Sequence, residues 1–334
     1  MKLEGDCLDR AISIYFIITM YSQDKLSQII QNGIDTIVYS TNAPRLFDPV
    51  RYTLESGGKR VRPTLVLMAT NLFADDITPA IGPALGLEIY HNFTLLNDDV
   101  MDKAPDRRGR PTVHVKWDDN TAILSGDAML SMAFEHIAKT PTTLLRPVLE
   151  LFTRTTIEIG EGQQLDLEFE SRNDVTEEEY IEMIRLKTSV LLGCALKMGA
   201  IIGGASEQDA DILYRFGNYI GLAFQLQDDW LDCWGDPKTF GKRIGGDILC
   251  NKKTYLRITA EKKAQIPECS GMSEQEKIET IKAFYIETGA EKACREKIAY
   301  YHSKAMKELS SISVADEKLA LLKALAAKLE NRNI

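Results

Sequence analysis

The six cysteines of this chain, Cys7, Cys194, Cys233, Cys250, Cys269 and Cys294, have no paired spacing. That argues against a disulfide framework or a cysteine-rich zinc site and fits reduced thiols in a cytoplasmic protein. Histidine is scarcer still: His91, His114, His136 and His302 are too dispersed for a His-rich metal site. Basic residues are outnumbered 40 to 49, and a net charge of -9 leaves no broad cationic footprint for nucleic acid. The apolar run Ala11 to Met20, AISIYFIITM, is too short to span a bilayer. It also lacks the basic start and small-residue cleavage site of a signal peptide, so residues 1-23 read as an N-terminal extension without a transmembrane segment. Gly/Ser linkers, low-complexity tracts and fixed-period repeats are missing as well, and alternating strand patterns are few and short.

What remains is 44% apolar residues, ample for a large core, set at helical spacing from Asp24 onward. Leu26, Ile29, Ile30 and Ile34 form one stripe; Leu65, Met68, Ala69 and Leu72 another. Leu85, Ile89, Leu95 and Leu96 belong to a third segment, and similar stripes recur through 144-168, 177-202, 208-232, 275-287 and 316-329. Breaks are predicted at Asn42-Ala43-Pro44, Gly82-Pro83, Thr140-Pro141, Gly203-Gly204 and Gly235-Asp236-Pro237. Thr176 followed by Glu179 predicts a capping box. The expected fold is all-α, a large single-domain helix bundle over residues 24-334.

Two five-residue clusters carry the chemistry. Residues 98-102 read Asp-Asp-Val-Met-Asp and residues 228-232 read Asp-Asp-Trp-Leu-Asp, with aspartates at i, i+1 and i+4. On a helix i and i+4 share a face with Cβ atoms about 6 Å apart, so Asp98 with Asp102 and Asp228 with Asp232 each form an acidic claw. Both clusters follow strongly apolar stretches, where carboxylates are costly unless paired or metal-bound. An all-oxygen donor set suits magnesium, which keeps waters and recruits substrate phosphates. Asp75-Asp76 and Asp118-Asp119 sit in turn-like contexts and read as surface.

Phosphate binders should accompany such claws. Gly57-Gly58-Lys59-Arg60-Val61-Arg62-Pro63 sets three cations beside two glycines; it is not a Walker A loop, but Lys59 and Arg62 could wrap a diphosphate. Arg107-Arg108-Gly109-Arg110-Pro111 follows the first claw, and adjacent arginines can hold different phosphates through forked hydrogen bonds. Lys187-Thr188 lies in an apolar helix, and Gly241-Lys242 and Asn251-Lys252-Lys253 follow the second claw.

In this order, GGKRVRP, DDVMDKAPDRRGRPTVH, KT, FQLQDDWLDCWGD and FGKRIGGDILCNKKT, the pattern resembles the short-chain trans-isoprenyl diphosphate synthase (polyprenyl synthetase) family from about residue 24 to the end. The resemblance implies a helix bundle around a central cavity and a homodimer, with isopentenyl diphosphate and allylic diphosphates as substrates. It implies three Mg2+ ions bound with the allylic diphosphate, held directly by Asp98, Asp102 and Asp228, with Asp99, Asp229 and Asp232 supporting or holding metal-bound water. Arg107, Lys187, Lys242 and Lys252 would contact the allylic diphosphate, and Lys59, Arg62, His91 and Arg108 the isopentenyl diphosphate. Thr188 and Gln225 would sit near the developing cation, and Glu161-Gly162-Gln163-Gln164-Leu165-Asp166 around the metals. Phe93 and Thr94, within about a turn and a half before Asp98, would bound the product channel and give a farnesyl or geranylgeranyl product. A terpene cyclase shares the ionisation chemistry, but the second DDxxD and the set Lys59, Arg62 and Arg108 argue against it.

Overall fold

The computed structural model describes residues 20-236 and 244-330. Lys242 and residues 1-19 of the predicted extension lie outside them. The protein is all-α: among the described residues the strands are two-residue pieces, Asp106–Arg107 (β1) and Arg110–Pro111 (β2), paired antiparallel.

Two compact units divide the packing. The first comprises the described residues up to Leu151 with Ala195–Ala210 and Val314–Leu321. Its helices are α1 (Gln23–Asp35), α2 (Pro44–Glu55), α3 (Val61–Phe73), α4 (Thr78–Met101), the short α5 (Val113–Lys116), α6 (Asp119–Ile137) and the start of α7 (Thr142–Ser171). Helix α1 buries Leu26, Ile30 and Ile34 from its predicted stripe, and Ser22 caps it by accepting the Lys25 N–H. Helix α3 is buried on every side from Pro63 to Leu72, the signature of a central helix rather than an amphipathic one.

The predicted break at Gly82-Pro83 does not occur; α4 runs unbroken through both residues. Pro83 stands near the N-terminal end, so the donor it lacks falls in the second turn. Gly82 serves packing instead of turning: a Cβ there would come 2.8 Å from Lys139 Cβ, and one on Gly86 would come 2.8 Å from the Ala133 carbonyl oxygen. Of the other breaks, Gly235 and Asp236 follow the helix that ends at Trp234, with Pro237 outside the described residues, and the remaining three fall as expected. Helix α2 begins at Pro44, Thr140-Pro141 separates α6 from α7, and Gly204 follows α9 (Val190–Gly203) at φ +82°.

The second unit holds Phe152–Cys194, Asp211–Ser313 and the described residues from Leu322 on. Its helices are the rest of α7, α8 (Glu177–Ile184), a π-helical turn (Arg185–Ser189) leading into α9 up to Cys194, α10 (Glu207–Trp234) from Asp211, α11 (Gly246–Leu249), α12 (Tyr255–Glu261), α13 (Glu274–Glu287), α14 (Ala290–Leu309) and α15 (Ala320–Glu330) from Leu322. The Thr176/Glu179 capping box opens α8 with both reciprocal bonds made. The continuous helix Glu177–Gly203 is long and apolar enough to cross a membrane, but 78% of its apolar window is buried in the fold, so it is a core helix. Five cysteines (Cys194, Cys233, Cys250, Cys269 and Cys294) are free thiols.

Close helix contacts depend on missing side chains. In the first unit Gly199 lies on α3, where an added Cβ would overlap the Val66 carbonyl, and Thr70 Oγ1 donates to Gly199 O at 3.0 Å. Gly199→Ala should destabilise the protein by about 1–3 kcal/mol, because a backbone carbonyl cannot yield. Gly160→Ala, on an exposed stretch of α7 with open space around it, should be neutral or stabilising by up to about 1 kcal/mol. Denaturant unfolding of the two variants checks the contrast.

Candidate functional site

In the first unit the predicted residues gather at the C-terminal end of α4 and the loops beside it. Asp98 is half-buried and Asp102, the C-cap, is exposed; Asp99 between them is buried and accepts the Arg107 Nε–H at 2.8 Å. Burial pushes the Asp99 carboxyl up, and Arg107 pulls against it. Carboxylates at a helix C-terminus also oppose the macrodipole, so this end of α4 favours a cation.

Arg107 and Arg108 diverge as the sequence suggested they could. They enter a two-residue hairpin turn in which Arg108 (φ +54°) and Gly109 (φ +72°) both have left-handed backbone, the type I′ pattern. Arg108 then turns to the glycine loop, where it donates to Gly57 O and to Ser56 Oγ at 3.3 Å. Gly58 has φ +135°, and a Cβ there would stand 3.0 Å from the Arg108 guanidinium. Lys59 is exposed. Arg62 Nη1 lies 3.0 Å from His91 Nε2. Burial lowers Arg62 to about 10 and, with the fields of Arg62, Arg108, Arg107 and Arg60, holds His91 well below its usual range. His91 is therefore a neutral acceptor among four arginines. Such a locus favours an anion.

Phe93 is half-buried; its ring lies 5.6 Å from that of Tyr90 and faces Gly126 of α6. The Thr94 hydroxyl is occupied with its own helix, donating to His91 O at 2.8 Å.

The second unit builds its set around the π-turn. Between Tyr180 and Thr188 a regular helix turns about 80° past full turns, whereas one extra residue in the turn brings them back to one face, within about 20°. Both meet α10: Tyr180 donates to Asp229, and the Thr188 hydroxyl lies 3.3 Å from Gln225 Oε1. The two helices run antiparallel at close range, since a Cβ on Gly217 would come 2.7 Å from Gly193 Cα and one on Gly221 would come 2.6 Å from Ser189 Cα. On the other side Gly162 of α7 abuts the π-turn, where a Cβ would overlap the Lys187 amide. One turn on, Asp166 takes Lys187 Nζ at 2.6 Å, with Lys252 Nζ at 4.0 Å. Burial pushes Asp166 up, but Lys252 and Lys187 outweigh it and hold the carboxyl below its usual range.

The second cluster ends α10 as the first ends α4, again against the macrodipole. The match in sequence is not a match in burial. Asp228 is half-buried, while Asp229 and Asp232 are both buried. Asp232 accepts the Asp247 N–H at 3.1 Å, so the claw predicted from Asp228 and Asp232 has one arm already turned into the fold. Tyr180, Asp247, Arg60 and Glu88 were not singled out as site residues: Tyr180 and Glu88 are single residues on buried faces and carry no motif, and Arg60 and Asp247 lie within quoted motifs that do not show their contacts.

Magnesium fits these residues: the donors are hard oxygens at helix ends whose dipoles favour a cation. Among the described residues no three Asp, Glu, His or Cys side chains are gathered to hold an ion alone.

Residues 43–288 match the family model described as Polyprenyl synthetase. The chain is 40% identical over 239 residues to the geranylgeranyl diphosphate synthase of Methanosarcina mazei, covering 71% of this chain and 74% of that protein. It is 37% identical over 292 residues to the geranylgeranyl pyrophosphate synthase of Geoglobus acetivorans, 86% of this chain and 91% of that one. Among solved structures, a geranylgeranyl pyrophosphate synthase superposes with a TM-score of 0.89 at 42% identity, over 94% of this chain and 100% of that chain.

Asp229 generates a pH prediction. Burial first, then Asp247, pushes its carboxyl up to about 8 from the usual 3.8. Between those values the fold keeps a proton that the unfolded chain has released, so stability present at acidic pH is lost as pH rises through this window. Urea unfolding in the presence of a chelator should show that loss in the wild type, and Asp229→Asn should flatten it.

Proposed function

Because the chain belongs to the polyprenyl synthetase family, we propose that it is a short-chain trans-prenyltransferase that condenses isopentenyl diphosphate with an allylic diphosphate (dimethylallyl, geranyl or farnesyl) to give farnesyl or geranylgeranyl diphosphate. One observation carries the reading beyond family membership: carboxylate clusters end two helices, α4 and α10, against the dipole of each, and each unit also holds cations on a carboxylate, Arg107 on Asp99 in the first and Lys187 with Lys252 on Asp166 in the second.

In this reading Asp98, Asp102 and Asp228, the accessible members, would hold three magnesium ions together with the allylic diphosphate. Asp99, Asp229 and Asp232, already engaged by Arg107, Tyr180 and the Asp247 amide, keep the clusters in shape. The metal, when bound, supplies charge neutralisation on the leaving diphosphate. Arg107, Lys187 and Lys252 add fixed positive charge to that diphosphate, and the resemblance adds Lys242. The allylic C–O bond breaks with its electron pair leaving on the diphosphate. Thr188 and Gln225 turn their oxygens toward the carbon left positive. Lys59, Arg62, His91 and Arg108 orient isopentenyl diphosphate so that its double bond attacks that carbon. The new C–C bond forms, and the proton from the adjacent carbon passes to the departed diphosphate, so no side chain need act as base.

Phe93 is the floor for the growing chain. The free thiols and acidic balance support a cytoplasmic compartment. The exposed Ile123 and Leu124 of α6, with Leu149 of α7, support a second copy of the chain as their cover.

Purified protein incubated with magnesium, isopentenyl diphosphate and each allylic primer should yield a C15 or C20 diphosphate by chromatography, and a chelator should abolish it. Asp98→Ala should lower kcat by on the order of a thousandfold. Phe93→Ala should shift the product to longer chains; an unchanged profile would remove the floor role.

A further inference from the structure

Arg60 is the middle cation of the Lys59-Arg60-Val61-Arg62 run, and it points away from its neighbours' task. Its side chain is buried, with Nη1 2.7 Å from Glu88 Oε1 and Nη2 donating to Leu54 O at 2.5 Å. Glu88 Oε1 also accepts from Asn92 Nδ2 at 3.0 Å, and that amide donates to Glu88 O at 2.8 Å. Arg60 caps α3 with left-handed backbone at φ +46°, a strained conformation for a residue with a side chain. One guanidinium thus ties together the last turn of α2, the entry to α3 and the middle of α4.

The places it joins are informative. Arg60 lies two residues before Arg62, and Glu88 lies one helical turn before His91. The pair therefore fixes the register of the two backbones that bring Arg62 and His91 to 3.0 Å. Glu88 is also a buried negative charge that favours the charged forms of Arg62 and Arg108. Stability alone does not account for such a pair, because a buried ion pair contributes about as much as, or less than, apolar residues of equal volume.

We propose that Arg60 and Glu88, with Asn92, are positioning residues that hold the glycine loop on α4, so that Lys59, Arg62 and Arg108 meet isopentenyl diphosphate in one geometry. This rests on the assignment of those residues to isopentenyl diphosphate made above. No bond is made or broken by the pair; its effect is on where the diphosphate is held.

Steady-state kinetics with each substrate varied separately tests it. Glu88→Gln should raise KM for isopentenyl diphosphate on the order of tenfold or more, with KM for the allylic substrate held within about twofold. The double variant Arg60→Met/Glu88→Leu, which replaces the pair with apolar volume, should melt near the wild type yet keep the raised KM for isopentenyl diphosphate. Arg60→Lys, which keeps the charge but loses the fork, should give an intermediate KM and remains testable if the other variants fold poorly. A double variant or Arg60→Lys with wild-type KM for isopentenyl diphosphate would overturn the proposal. Equal rises in KM for both substrates would overturn it too. If the wild type itself makes no prenyl product, the assignment of the pocket fails, and that outcome is separate from active variants that bind normally.

Discussion

Burying a charged group in a packed helical core is expensive unless a partner of opposite sign comes with it. The residues around both aspartate clusters are sorted by that constraint. Glu88 takes Arg60, Asp99 takes Arg107, and Asp166 takes Lys187. Asp229 meets the constraint differently: burial and Asp247 keep it protonated to about pH 8, and the Tyr180 hydroxyl donates to it. His91 stays neutral under four arginines. What stays accessible is a smaller set, Asp98, Asp102, Asp228 and Lys59. Burial thus separates groups that shape a site from groups that a ligand can reach, which spacing in the chain does not do.

A second constraint is backbone proximity. Side chains as short as Thr188 and Gln225 meet only if their helices approach closely, and Gly193, Gly217 and Gly221 allow that approach. The π-turn at 185-189 then rotates the following residues so that Tyr180 and Thr188 share the face turned to α10. Gly162 does the same service for α7, bringing Asp166 within reach of Lys187. A Cβ at any of these glycines would separate helices whose polar contacts depend on touching.

Much of this was legible in the chain. The apolar stripes predicted the helices, the Thr176/Glu179 box was found as written, and Gly203-Gly204 ended its helix. Gly82-Pro83 misled because glycine signals both a turn and a tight helix crossing, and only the partner helix, with Ala133 and Lys139, distinguishes them. The π-turn was not legible either. Arg185 to Ser189 has ordinary helical composition, and Gly162 and Gly221 pack closely on the turn from either side. Arg60 was given no role beside Lys59 and Arg62, since nothing in a basic run tells which member faces inward.

The two DDxxD clusters show how far a shared spacing carries. Each ends a helix with its carboxylates against the dipole, which is the feature spacing does encode. Their fifth residues part company. Asp102 caps α4 in the open, whereas Asp232 is buried and receives the Asp247 amide on its side chain and the Gly245 amide, at 2.6 Å, on its backbone carbonyl. Asp247 O in turn accepts the Lys252 N–H at 2.9 Å. The last aspartate of the second cluster therefore anchors the segment that delivers Lys252 to Asp166, while the last aspartate of the first is exposed. Identical spacing has produced two different settings, and the described residues C-terminal to each helix differ accordingly: a short hairpin of arginines after α4, and after α10 the Gly245 and Asp247 amides bonded back onto Asp232.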